Sequence, residues 1–147
     1  MRYSEATRGR VFIIRLEQGE VVHEVLERFA SEHDVRAAAV LMVGAADCGS
    51  SIVCGPKEAN ARPVEPLRHA LPGVSEMAGV GTLFPDENDR PMLHVHAAFG
   101  RDGKASAGCV RSGVVVWQVL EVIMFELVGS NARKVRDPST GFELLEP

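Results

Sequence analysis

Apolar and polar residues change period several times along the chain, and each change marks an element. Val11-Phe12-Ile13-Ile14-Arg15-Leu16 is β-branched and aromatic and reads as a first strand, closed by a turn at Glu17-Gln18-Gly19-Glu20. From Val21 to about Asp34 the apolar positions Val21, Val22, Val25, Leu26, Phe29 and Ala30 recur at helical spacing between charged residues, which predicts an amphipathic helix. Val35 to Val43 is almost continuously apolar, as in a strand buried on both faces, and Ser50 to Cys54 is expected as its hairpin partner across Ala46-Asp47-Cys48-Gly49. Lys57 to Pro72, with Pro56 just before it, is rich in proline and weakly patterned, so a loop broken by short edge strands is expected. Ser75 to Phe84 reads as a glycine-containing strand, followed by the polar turn Pro85 to Pro91 and a hairpin around Asp102-Gly103. Val114 to Leu127 carries the strongest strand pattern, and Asn131 to Pro147 is a polar tail with one apolar piece, Phe142-Glu143-Leu144-Leu145.

Many strands with short turns and one principal helix predict a compact α+β domain, mainly antiparallel, over residues 1–147, with 1–9 and 137–147 as extended tails. One helix cannot cover both faces of such a sheet. The exposed face needs solvent, closure into a barrel or a second subunit, and the apolar last strand favours a homo-oligomer.

Composition narrows the function classes. The net charge of −4 and pI near 5.7 argue against a nucleic-acid-binding surface spread over the domain, although a local basic patch stays compatible with them. Cys48, Cys54 and Cys109 are odd in number and form no disulfide framework, the N-terminus lacks the apolar core of a signal peptide, and the longest apolar run, Gly113 to Phe125, is interrupted by Gln118 and Glu121. A reduced, cytoplasmic protein without membrane contact is expected.

The chemistry concentrates in the hairpin. Asp102-Gly103 as a two-residue loop pairs Arg101 with Lys104, sets His96 opposite Cys109 and sets His94 opposite Arg111. Alternation puts His94 and His96 on one face and Leu93, Val95, Ala97 and Phe99 on the other. The histidines are then about 6.6 Å apart at Cα, and the cross-strand Cβ of Cys109 lies about 4.5–5.5 Å from that of His96. Imidazole and thiolate both suit zinc, and three protein ligands leave a fourth position open, where a bound water would be activated. The same residues also read as a chance His-x-His pair beside a small core cysteine. A bulge in the hairpin would turn Cys109 to the other face. Arg111 is unhelpful beside a metal and useful beside an anionic ligand.

Glu121, among the apolar residues of the late strand, reads as an exposed end, a partner across a subunit interface or a site residue. His23 and His33 are expected in solvent on the helix, and His69 sits in the proline-rich loop. Ser106 and Ser112 lack a Gly-x-Ser-x-Gly context, and Gly79-Val80-Gly81 is too little for a nucleotide-binding loop. No catalytic residue and no organic cofactor site is assigned.

The order of these motifs resembles the plants and prokaryotes conserved domain, which in plants accompanies AT-hook segments. The resemblance is carried by the opening strand with its acidic turn and helix, by Arg36-Ala37-Ala38-Ala39-Val40-Leu41 and by Glu76-Met77-Ala78-Gly79-Val80-Gly81-Thr82-Leu83. Leu93-His94-Val95-His96, Ala107-Gly108-Cys109-Val110, the late strand with Glu121 and Thr140-Gly141-Phe142 complete it. It implies an α+β homotrimer and, as in some prokaryotic members, one divalent metal, zinc by type, on a His-x-His pair and a third histidine in Gly-Gly-His. His94 and His96 match the pair, while Cys109 stands where the third histidine is usual. Arg111 and Glu121, from their own positions in the chain, are candidates to contact a bound ligand or to support the three donors. The AT-hook is missing, since Arg8-Gly9-Arg10 runs into Val11 of the first strand, so direct DNA binding is not expected. A metal or small-ligand protein is the first functional reading. A DNA-associated regulatory scaffold acting through trimerisation is the second.

Overall fold

The computed structural model describes residues 1–111 and 113–147; Ser112 lies outside the described residues. In chain order the elements are β1 (Thr7–Glu17), α1 (Val22–Glu32), β2 (Ala38–Ala46), β3 (Ser51–Pro56), β4 (Pro66–Ala70) and β5 (Ser75–Pro85). There follow β6 (Pro91–Arg101), β7 (Lys104–Cys109), β8 (Val116–Val128), β9 (Arg133–Arg136) and β10 (Glu143–Glu146). Eight strands form one antiparallel sheet in the order β1-β8-β2-β5-β6-β7-β3-β4, and β9 and β10 form a separate ribbon.

The helix buries Val22, Leu26 and Ala30 on one sheet face, against Leu16, Val40, Leu93, Val95, Leu120, Val122 and Met124. Phe12 meets Phe29 edge to face at 5.2 Å between ring centroids, tying β1 to the helix. Among the described residues no helix covers the opposite face. Pairing across it sets Ile13, Ile123, Leu41, Val80 and His96 in one row from β1 to β6. In that row and beside it Ile13, Leu41, Val43 and Val80 are exposed, Ile13 at 87%.

Three expectations change. Ser50 to Cys54 does not pair with β2, because β5 and β8 occupy both edges of β2; β3 lies between β7 and β4 instead. The ends are extended tails only in part: residues 1–6 are exposed outside any element, whereas Thr7–Gly9 starts β1 and residues 137–147 turn back so that β10 pairs with β9. His23 is half-buried on α1, its Nδ1 enclosed without a hydrogen-bond partner, rather than solvated. The proline-rich loop does carry an edge strand, β4.

Candidate metal centre

Asp102 and Gly103 adopt φ of 50° and 72°, the left-handed pair that a tight hairpin turn requires. The register follows from them: Arg101 pairs with Lys104, and His96 pairs with Cys109. Beyond Cys109 the ladder does not reach His94 and Arg111. Only the Val110 amide, donating to the Val95 carbonyl at 2.9 Å, continues it, and Arg111 leaves the strand to line a neighbouring cavity. Leu93, Val95, Ala97 and Phe99 are buried, whereas His94 is half-buried and His96 exposed, so the alternation is as expected.

Close packing on both sides fixes the hairpin. A Cβ on Gly81 of β5 would collide with the His94 carbonyl oxygen and lie 2.8 Å from Val95 Cα, so glycine lets the two backbones approach behind the histidines. A Cβ on Gly108 would lie 2.9 Å from the Val53 oxygen, where β3 meets β7 at the single pair Val53–Cys109. Along the free edge of β6, Glu27 of α1 accepts the Leu93 amide at 2.8 Å and satisfies a donor one residue before His94.

The donor atoms of His94, His96 and Cys109 all lie within 4.8 Å of one another, and the two Nε2 atoms are 3.3 Å apart. Ligands about 2.0–2.3 Å from one tetrahedral zinc stand at comparable separations. Burial, then Lys134, Arg111 and His96, lower the pKa of His94 from 6.5 to about 4, which keeps its imidazole neutral at neutral pH. The donor set is therefore fit for a divalent ion.

Lys134 was not recognisable from the sequence. It lies in Arg133-Lys134-Val135-Arg136, a stretch with the look of a solvated tail, yet it is 5% exposed. Burial and then Arg111 lower its pKa, against an opposing effect of Cys109. Neither Lys134 nor Arg111 makes an ion pair among the described residues. The apolar piece of the tail was the visible signal for a third wall: Phe142 and Leu144 line a cavity of about 480 Å³ together with Val53, Val64, Arg68, Arg111 and the three donors.

Glu121 is not one of the three converging donors. It pairs with Arg15 and Val43 on the exposed sheet face, with β2 and β5 between its strand and β6, and it lines an open groove on that face together with His96. His33 stacks on Phe29 at 4.1 Å, and His69 on β4 lines a different cavity.

The family model of the Plants and Prokaryotes Conserved (PCC) domain matches residues 3–128. Among solved structures, a metal-containing protein of Archaeoglobus fulgidus is similar over the whole of both chains at 25% identity and a TM-score of 0.85. A plant- and prokaryote-conserved protein of Pyrococcus horikoshii is similar at 23% identity and a TM-score of 0.82, covering 100% of this chain and 98% of the other. A candidate DNA-binding protein of Bacteroides thetaiotaomicron shares the fold at 16% identity and a TM-score of 0.76, over 96% of each chain. No curated protein matches the chain.

Proposed function

From the premise that the chain belongs to the Plants and Prokaryotes Conserved (PCC) domain family, we propose that it is a metal-binding homotrimer whose centre is His94, His96 and Cys109. The convergence of three donor atoms within 4.8 Å carries this reading. The whole-chain similarity to a metal-containing archaeal protein supports it. Two imidazoles and a thiolate favour zinc over magnesium or calcium, which prefer oxygen ligands. A divalent ion there supplies a Lewis acid with a position open to an exogenous ligand. His94 and His96 would offer neutral nitrogens, Cys109 its thiolate, and Glu27 and Gly81 would hold the backbone that aims the two imidazoles.

The uncovered apolar face of the sheet supports self-association, since Ile13, Leu41, Val43 and Val80 lie together where no helix reaches. Three free cysteines suit a reducing cytoplasm, and among the described residues no helix is long and apolar enough to cross a membrane. The alternative, a DNA-associated scaffold, has the shared fold alone in its support.

Metal analysis of untagged protein and of His94→Ala tests the centre. Stoichiometric zinc in the first and its loss in the second are expected; absence of zinc, manganese and iron from both ends the reading. Sedimentation at micromolar concentration should find a trimer, and a monomer would remove the oligomer from the proposal. Retention on DNA that weakens steeply with salt would favour the scaffold instead.

A further inference from the structure

The cavity beside the three donors has a wall of one kind and a floor of another. Val53, Val64, Phe142 and Leu144 give it apolar sides, and Arg111 is exposed at its rim next to His94, His96 and Cys109. Its volume of about 480 Å³ falls within the ordinary range for a small-molecule site. Lys134, buried on β9, acts electrostatically on His94 and is itself acted on by Arg111 and Cys109. Glu143 also lines the cavity, yet it pairs with neither Arg111 nor Lys134.

A buried ammonium and a neighbouring guanidinium without a carboxylate partner are an incomplete charge arrangement. A divalent ion on the donors would add to the positive charge, less the charge of the Cys109 thiolate that would hold it. A guanidinium presents two parallel N–H donors that match a carboxylate. The apolar sides, Val53, Val64, Phe142 and Leu144, suit an apolar body attached to that carboxylate.

We propose that this cavity binds an amphipathic monocarboxylate, with its carboxylate at Arg111 and its apolar body against Val53, Val64, Phe142 and Leu144. The inference builds on the reading of His94, His96 and Cys109 as the working face of the protein, and it adds the class of molecule that this face receives. It assigns no reaction.

Calorimetric titration with 4-phenylbutyrate, 4-phenylbutyramide and acetate tests it, on the protein as purified, with metal content measured on the same sample. The acid should bind once per chain, and both the amide and acetate should bind about tenfold more weakly or worse. Arg111→Gln, at an exposed position, should abolish the preference for acid over amide. Phe142→Ala should weaken 4-phenylbutyrate while leaving acetate unchanged. No binding of the acid, equal binding of acid and amide, or an unchanged preference in Arg111→Gln would each overturn the proposal. Acid preference in a sample without metal would sustain the carboxylate site while ending the metal reading. Metal without acid preference would do the reverse.

Discussion

At the β1–β8 edge of the sheet a buried charge is completely answered, whereas at the β6–β7 hairpin buried charge is left open. Glu126 is 7% exposed, yet its carboxylate accepts from the Arg10 amide at 2.9 Å, from Arg10 Nε at 2.8 Å and from Arg10 Nη2 at 2.6 Å. Arg10 also donates to the His33 carbonyl and lies over the Phe12 ring, so the pair joins strand, helix and sheet. The hydrogen bond from Arg10 lowers Glu126 from 4.5 to about 2. At the hairpin, Lys134 is as deeply buried, the charge that acts on it most is that of another cation, Arg111, and no carboxylate pairs with it among the described residues. A satisfied buried charge holds the fold together, and an unsatisfied one marks a place where the protein expects something else to bind.

The largest effect should follow from breaking the satisfied pair. Arg10→Ala leaves the buried carboxylate without its guanidinium, with only the backbone amide of residue 10, and should destabilise the protein by about 3 kcal/mol, read from urea midpoints at neutral pH. A variant as stable as the parent would show that water already serves Glu126.

Acid separates the two regions next. The folded pKa of Glu126 is depressed, so its contribution is complete above pH 4.5 and is lost as pH falls from there toward 2. Urea midpoints should therefore drop over that window, and Arg10→Ala should flatten much of the drop. A parallel decline in both proteins would place the acid sensitivity elsewhere.

Backbone approach at the hairpin should matter somewhat less. Gly81→Ala places a methyl against the His94 carbonyl and should cost about 1–3 kcal/mol through overpacking. If the two backbones are what aim the imidazoles, bound metal per chain should fall in this variant as well; retention of full metal would confine the glycine to packing.

The smallest change in stability, of opposite sign, belongs to Lys134. Replacing an unpaired buried ammonium by an apolar side chain of similar length, Lys134→Met, should leave stability unchanged or raise it by about 1 kcal/mol. The same variant should bind 4-phenylbutyrate more weakly, measured by calorimetry. Marked destabilisation would mean that Lys134 supports the fold, and the contrast with Glu126 would disappear.

Local instructions in the sequence were enough for much of the candidate site. Asp102-Gly103 sets the hairpin turn, the turn sets the pairing of His96 with Cys109, and the two-residue period puts both histidines on the outer face. Each step involves neighbours along the chain or directly across one turn, so no distant contact is needed to read it. The amphipathic pattern from Val21 onward likewise sufficed for α1, because the face that is buried is written in the spacing of Val22, Leu26 and Ala30.

The rest depended on which strands meet. β3 could not be placed from its own residues, since its position follows from β5 and β8 filling both edges of β2. Arg111 left its expected partner when the ladder ended at Cys109, and Glu121, two strands from β6, shares only an open surface groove with His96. Lys134 looks like any lysine of a polar tail until β9 folds beside the cluster and removes it from water. The sequence alone thus determined the chemistry of the donors and their common face, through turn geometry and strand periodicity. The tertiary structure alone decided the burial and electrostatic surroundings of those donors, because desolvation depends on every element packed around a charge and not on its neighbours in the chain.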